Sequence, residues 1–185
     1  MAGTTDWRRA TCATFLVVSV TAACDTRAPF EPSLPTAARF RVDDGVLKLW
    51  TGTSCPGVTG VTVIFDSGTT RSAEQAWSAP RPGVLLERMD LLGTTGGSFL
   101  STAGPLEVRK ALPEDYDWTD ADSITFSVDG PSAHGARADV DQVLDESARH
   151  PSDSYLFGRR GWMDASDVQR ENRKSFLTVC TPDPG

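Results

Sequence analysis

Short runs of alternating apolar and polar residues recur along the chain after residue 38. The runs 39–42 and 46–50 flank Asp43-Asp44-Gly45, and an Asp-Gly turn between two strand-like runs is typical of a β-hairpin. Segments 61–65 and 124–128 show the period of two that half-buried strands require. Further strands are predicted at 84–92, 105–112, 154–157 and 174–180.

Two segments have the helical period instead. Residues 140–148 place apolar side chains at i, i+3, i+4 and i+8, and Pro151 ends the run. Residues 165–173 carry acids near their start and arginines near their end, which suits the helix dipole. The segment 84–92 fits a strand or a helix, and the glycines on either side favour a strand. The pattern therefore predicts a mostly-β fold, an antiparallel sandwich of immunoglobulin-like or related type with one or two short helices.

Composition narrows the class of protein. The chain has 185 residues and a formal net charge of −7, and 39% of its residues are hydrophobic. This length suits one domain with a real core. The acidic balance argues against nucleic acid as the main partner. Arginine far outnumbers lysine, which is typical of a G+C-rich genome.

The N-terminal residues 1–23 have the organisation of an export signal. Arg8 and Arg9 precede an uncharged stretch from residue 10 to 23, whose apolar centre is 15–20. A positive segment, an apolar segment and small residues before the cut define a secretory signal peptide. The alternative is a buried core helix, which the proline-rich continuation disfavours.

The end of this signal, Val20-Thr21-Ala22-Ala23-Cys24, resembles the lipobox of bacterial lipoproteins. The resemblance implies that the signal is cut before Cys24, that a diacylglyceryl group is joined to its sulfur, and that the protein is anchored at the extracytoplasmic face of the cell membrane. Thr21 stands where leucine is usual. Ordinary cleavage after Ala23 would instead give a secreted protein without lipid. In size, signal and composition the chain also resembles small exported lipoproteins of G+C-rich Gram-positive bacteria.

The cysteine count agrees with lipid attachment. Cys12 lies in the signal, so cleavage after residue 23 leaves Cys24, Cys55 and Cys180. An exported protein is in a compartment that permits disulfides, and an odd thiol there needs an explanation. We expect a Cys55–Cys180 disulfide and a lipidated Cys24; the alternative is that Cys55 and Cys180 are buried free thiols.

Three regions are predicted along the chain: the signal at 1–23, the lipidated cysteine with a proline-rich tether at 24–38, and a single β-rich domain at 39–185. Pro29, Pro32 and Pro35 recur every third residue, which favours polyproline II. The alternative for the tether is an ordered lead-in strand, which proline disfavours because it donates no ladder hydrogen bond.

An acidic segment at 113–122 holds five carboxylates around Tyr116 and Trp118. Its spacing begins like a calcium loop, but Asp120 stands where such loops need glycine. Trp118 could also serve as a stacking platform for a glycan. The plainer interpretation is a solvated turn in which Asp120 or Asp122 caps backbone amides, with Trp118 in the core.

Candidate catalytic groups are few. His134 and His150 lie at turns, and we expect His150 near a helix C-terminus. No nucleophile-elbow, zinc-protease or phosphate-loop motif occurs in the sequence. The basic-aromatic segment 159–162 could bind acidic head groups or glycans, but we favour a turn with arginine stacked on Trp162.

Taken together, these patterns predict a membrane-anchored envelope lipoprotein that acts as a binding or interaction module, not as an enzyme, without a cofactor or metal. Its expected partners are the lipid bilayer, through Cys24, and an envelope protein or a glycan. A small envelope hydrolase and a secreted binding protein are the alternatives.

Overall fold

The described residues form two five-stranded antiparallel sheets and two short helices, which is the mostly-β sandwich class that the sequence pattern predicts. The computed structural model describes residues 32–37, 39–93, 106–130 and 134–185. The first sheet contains β2 (Arg39–Asp43), β3 (Val46–Val58), β6 (Val84–Gly93), β10 (Tyr155–Leu156) and β11 (Trp162–Met163). The second contains β4 (Gly60–Phe65), β5 (Ala73–Ser78), β7 (Glu107–Lys110), β8 (Ser123–Asp129) and β9 (Ala136–Asp139).

The strand order is β11-β10-β2-β3-β6 in the first sheet and β7-β5-β4-β8-β9 in the second. A separate parallel pair joins β1 (Thr36–Ala37) to β12 (Leu177–Thr178). The helices are α1 (Val140–Glu146) and α2 (Ala165–Glu171). Short 3₁₀ helices span Trp118–Asp120, Ser147–Arg149 and Gly158–Arg160.

The hairpin at the start of the domain forms where the sequence predicts it. β2 and β3 pair in register from Arg39–Trp50 to Asp43–Val46. Asp44 and Gly45 at the turn have φ of 50° and 70°. Two consecutive positive φ values match the right-handed twist of the flanking strands. The turn therefore fixes the register of the first sheet.

The main core lies between the two sheets. Phe40 on β2 meets Phe126 on β8 edge to face, with ring centroids 6.3 Å apart. Leu49, Val61 and Val63 are fully buried around them. This is the apolar half of the alternating pattern, so the pattern correctly identifies the inner faces.

A second, smaller core covers the outer face of the first sheet. It contains Ala37, Trp50, Tyr155, Phe157, Val168 and Phe176, with Met163 against it. Most of these residues come from the C-terminal third of the chain, which folds back over β2 and β3. The first sheet is therefore buried on both faces around Arg39, Arg41 and Trp50, and its outer face there carries the site described below.

The domain begins earlier than predicted. Thr36 and Ala37, assigned to the tether from the sequence, pair with Leu177 and Thr178, and the amide of Leu177 donates to the carbonyl of Pro35 at 2.9 Å. Pro35 accepts this bond and needs no donor of its own, so proline does not prevent pairing here. The alternative of a lead-in strand is therefore the one that forms at Thr36–Ala37, near the end of the predicted tether. The signal, Cys24 and the tether up to residue 31 lie outside the described residues.

Candidate functional site

The predicted disulfide is present. Cys55 on β3 is bonded to Cys180, with their Cα atoms 5.4 Å apart and a sequence separation of 125. Cys180 lies two residues after the end of β12, so the bridge fastens the C-terminal segment to the first sheet. That segment carries both Phe176 and the strand that pairs with Thr36, and the bridge therefore holds one wall of the cleft described below.

The acidic segment 113–122 is a structural turn in which the tryptophan is buried. Trp118 is 3% exposed, and its Nε1 donates to the carbonyl of Gly93 at 2.9 Å. A ring held in this way cannot stack on a glycan. Across the described residues, no three His, Cys, Asp or Glu side chains are placed to hold a metal ion together.

The expected capping residues in this turn are wrong. Asp117, not Asp120 or Asp122, caps the short helix that follows it, by accepting from the amide of Thr119 at 3.0 Å. These contacts with Thr119 lower the pKa of Asp117. Each aspartate in this segment could accept a hydrogen bond from nearby backbone amides. The sequence therefore predicts that a capping aspartate is present but not which aspartate it is.

Asp66 is a buried carboxylate that the sequence analysis missed. Its side chain is 3% exposed, and Oδ1 accepts from the amides of Asp122 and Ser123 at 2.8 and 3.1 Å. Arg71 lies 3.3 Å from the other oxygen. Asp66 therefore joins the end of β4 to the start of β8 and is satisfied by these contacts. The sequence feature that could have identified Asp66 is its position before Ser67-Gly68 at the end of a strand, where aspartate often bonds to backbone amides.

The basic-aromatic segment 159–162 forms a turn after a strand, as expected, but a different side chain stacks on Trp162. His150 lies parallel to the Trp162 ring, with centroids 4.5 Å apart and planes 13° from parallel. The indole Nε1 donates to Glu146 at 2.7 Å and lowers the pKa of that carboxyl. His150 does end the 3₁₀ helix that follows α1, in agreement with the prediction.

A nucleophile–base pair of the Ser–His type would need a histidine hydrogen-bonded to a serine. Ser33 bonds directly to Asp183, and no hydrogen bond from His134 to either is found in the described ranges. The Nε2 atom of His134 is buried without a partner there. The described histidines therefore do not form a nucleophile–base pair.

Arg39 occupies an aromatic box beneath the outer face of the first sheet. Its guanidinium carbon lies 3.4 Å from the ring centroid of Phe157, 4.7 Å from Trp50 and 5.6 Å from Phe176. The residue is fully buried, and within the described residues none of its three side-chain nitrogens has a hydrogen-bond partner. Burial lowers the pKa of Arg39 to about 8, because desolvation disfavours the cation. The aromatic faces offset part of this cost.

Gly52 makes the room for this arginine. A Cβ atom at position 52 would lie 0.9 Å from Nη1 of Arg39, and the residue has φ of +81°. It sits where the pairing of β3 with β6 shifts register between Trp50 and Cys55. A glycine in an irregular strand segment commonly marks such a close approach.

A cleft of about 580 Å³ opens beside this box. We call it the tether-side cleft, because residues 35–37 form one of its walls. Its lining consists of Pro35, Thr36, Ala37, Arg137, Phe157, Gly158, Arg159, Arg160 and Phe176. Phe157 and Phe176, which meet edge to face at 5.3 Å, supply an apolar floor. Arg39 packs against both rings and so supports the floor.

Three arginines and no acidic residue line the tether-side cleft in the described part of the chain. Arg137 donates to the hydroxyl of Ser123 at 2.9 Å, and Arg160 donates to the carbonyl of Ser175. These contacts leave other guanidinium donors available, since each arginine has five. Arg159 is exposed and makes no hydrogen bond or ion pair within the described residues. The cleft is thus positive in a chain of net charge −7.

Sequence reasoning identified only part of this cleft. Arg159 and Arg160 were noted as a basic segment, but Arg137 lies in a strand that the pattern did not predict. Residues 35–37 were assigned to the tether. What brings the three regions together is the parallel pairing of β1 with β12, and no local pattern in the sequence encodes it.

No protein-family model, curated protein or solved structure is similar enough to this chain to count as a match. Within the described residues, no helix has the length and apolar character needed to cross a membrane.

Proposed function

We propose that the chain is a cell-envelope lipoprotein, anchored to the extracytoplasmic face of the membrane through Cys24, whose β-sandwich acts as a binding module. The anchor is supported by the signal-like residues 1–23 and the lipobox-like segment that ends in Cys24. The binding role is supported by one observation, the tether-side cleft with its apolar floor and three arginines.

The cleft has the features expected of a ligand site. Binding sites are typically concave, about 300–1,000 Å³ in volume, mainly apolar and provided with a few convergent polar groups. Arginine presents its donors in a rigid fork that matches a carboxylate or phosphate. We therefore propose an anionic ligand or an anionic segment of a partner.

The cleft favours binding over catalysis. Its charged groups are Arg137, Arg159 and Arg160. Each guanidinium group offers five N–H donors and no acceptor, so these side chains are suited to hold an anion. Arginine orients and neutralises an anion, which is what a binding module requires.

The anchor is tested by comparing the full-length protein with its Cys24→Ala variant in a bacterial host that processes lipoproteins. We expect the unmodified sequence to partition into the detergent phase and the variant into the aqueous phase, because two acyl chains on one glyceryl group bind membranes stably. Mass spectrometry of the N-terminal peptide should show the diacylglyceryl group on Cys24. An aqueous protein with a free Cys24 thiol would refute the anchor.

The binding role is tested by photo-crosslinking in cells. A photoreactive amino acid at Pro35, which is exposed and lines the cleft, is compared with the same group at Val108 on β7. We expect adducts that are specific to position 35. A protein adduct would identify an envelope partner, and a glycan or lipid adduct would identify those classes. Identical adducts from both positions would contradict a binding role for the cleft.

A further inference from the structure

We propose that the tether-side cleft binds the head group of an anionic phospholipid, so that the domain turns this face toward the membrane. The inference relies on the proposed anchoring through Cys24 for its account of orientation. The affinity of the cleft for the head group does not depend on the anchor, and the two are tested separately.

Charge is the first argument. The chain carries a net charge of −7, so most of its surface is repelled by an anionic bilayer. The tether-side cleft concentrates three arginines without an acidic residue among its described lining. Each cation near an anionic membrane surface contributes attraction. The face bearing this cleft is therefore the one that can approach such a surface.

Position is the second argument. Pro35, Thr36 and Ala37 line the cleft, and they follow Cys24 by only 11 to 13 positions. A fully extended segment of that length spans at most about 40–47 Å. The segment that leads from the proposed anchor thus enters the domain at the cleft itself. The cleft is thereby kept within a short distance of the bilayer.

Shape is the third argument. Phe157 and Phe176, each only 1% exposed, lie at the bottom of the cleft, and Pro35 is an exposed apolar residue in the same lining as the arginines. A phospholipid head group presents the matching sequence of groups, a phosphate followed by glyceryl carbons. Arginine forks recognise phosphate through paired, charge-assisted hydrogen bonds. Arg159 is exposed and makes no hydrogen bond or ion pair within the described residues, so its guanidinium is available to begin this contact.

The neighbouring cleft is less suited to an anion. It has a volume of about 590 Å³ and shares Arg137, Gly158 and Arg159 with the tether-side cleft. Asp122 and Asp139 also line it, and their carboxylates would repel a phosphate. The inference therefore concerns the tether-side cleft alone.

The experiment uses the whole chain with Cys24→Ala, so that no acyl chain can be attached. Its sedimentation with vesicles of phosphatidylcholine alone is compared with sedimentation with vesicles containing 30% phosphatidylglycerol, at low and at physiological salt. We expect stronger binding to the anionic vesicles, weakened by salt because screening shortens the reach of the charges. Residues 1–23, with Arg8 and Arg9, are present in every sample, so their contribution cancels when variants of the cleft are compared on the same anionic vesicles.

Arg159→Glu and Arg109→Glu, each added to Cys24→Ala, form the matched pair. Both arginines are exposed, and both substitutions change the net charge equally, but Arg109 lies on β7 and does not line the cleft. We expect Arg159→Glu to reduce binding to the anionic vesicles roughly tenfold or more, and Arg109→Glu to reduce it less than about twofold. Thermal unfolding of both variants checks that each one folds as the parent does.

Equal losses in the two variants would overturn the proposal, because they would indicate repulsion by net charge alone. Equal binding to both vesicle types would also overturn it. Binding of millimolar glycerol phosphate by the Cys24→Ala chain, without any preference for the anionic vesicles, would show that the cleft takes soluble phosphate esters instead. None of these outcomes bears on lipid attachment, which the detergent partition of the protein with Cys24 intact decides independently.

Discussion

Arg39 shows how one residue can depart from the pattern around it. In the segment 39–42 the alternation places Phe40 and Val42 inward and two arginines outward, and an outward arginine is expected in water. Both Arg39 and Arg41 are buried. The alternation correctly separates the side chains on the inner face from those on the outer face. It cannot show that the C-terminal segment also covers the outer face.

Arg39 and Arg41 differ in the partners of their buried guanidinium groups. Arg41 donates to the carbonyls of Pro151 and Ser154, at 2.7 and 3.1 Å. Arg39 has only aromatic faces as partners within the described residues. Removing a buried charge that lacks hydrogen bonds often stabilises a protein, whereas removing a partner from buried carbonyls destabilises it.

We therefore expect Arg39→Met to raise the free energy of unfolding at pH 7 by about 1–4 kcal/mol. Arg41→Met, the matched control in the same strand, should lower it by about 1–3 kcal/mol. The folded-state pKa of Arg39 is about 8, well below the ordinary value of an arginine in the unfolded chain. Between these values the unfolded chain binds more protons, so the stability of the wild type rises with pH and the advantage of Arg39→Met shrinks.

Urea unfolding at pH 7 and pH 9.5 checks this expectation for Arg39. An Arg39→Met protein less stable than the wild type at pH 7 would mean that the cation–aromatic contacts outweigh the cost of desolvation. That result would contradict our account of the box.

At the scale of elements, the sequence predicts the strands whose own residues favour them. The hairpin β2–β3, the strands β4 and β8, and both helices lie where the pattern places them. β5 was missed because its sequence, AEQAWS, is rich in residues that favour helices. It becomes a strand by pairing with β4 and β7 on either side. Tertiary context overrides weak local preference there.

The ion pair across the first hairpin provides a test at this scale. Lys48 on β3 donates to Asp43 on β2 at 2.8 Å. This hydrogen bond lowers the pKa of Asp43 and raises that of Lys48. Both side chains are only partly buried, at 34% and 26% exposure, so solvent screens the pair. A double-mutant cycle with Asp43→Asn and Lys48→Met should give a coupling of about 0.2–1 kcal/mol at pH 7.

The coupling between Asp43 and Lys48 should depend on pH in a defined direction. A carboxyl whose folded pKa is lowered adds stability above its ordinary pKa, and that stability is lost as pH falls through the folded value. The raised pKa of Lys48 adds stability that is complete below its ordinary value and is lost in strong alkali. Chemical denaturation should therefore show the coupling disappearing at pH 2. A coupling unchanged at that pH would assign it to packing of the two side chains and not to their charges.

At the scale of the whole molecule, the fold class and the disulfide were predictable, but the return of the C-terminal third over the first sheet was not. Strand content and cysteine count are properties of the whole chain. A wrong prediction for one segment therefore changes neither the fold class nor the expected disulfide. The second core depends on Trp50 meeting Phe157 and Phe176 across more than a hundred positions. The tether-side cleft forms because the C-terminal third packs over the first sheet. The sequence therefore indicates some residues of the cleft but not that they come together.

The disulfide should have its largest effect at this scale, because it joins the first sheet to the C-terminal segment. In the chain-entropy description, closing a loop of 125 positions stabilises the fold by up to about 4–5 kcal/mol, and measured losses of native bridges run at about 2–5 kcal/mol. Replacing Cys55 and Cys180 together by serine should therefore lower the melting temperature by about 5–15 °C. Replacing both residues avoids leaving an unpaired thiol at either end of the bridge.

Reduction of the wild type supplies the control for the disulfide. A reductant should shift its melting temperature by the same amount as the double substitution and should leave the double variant unchanged. A wild type that melts at one temperature with and without reductant would contradict a stabilising bridge. Because the bridge also holds the strand that pairs with Thr36 and Ala37, we expect its loss to weaken vesicle binding by the Cys24→Ala chain at temperatures well below melting. That result would connect the disulfide to the tether-side cleft and not only to global stability.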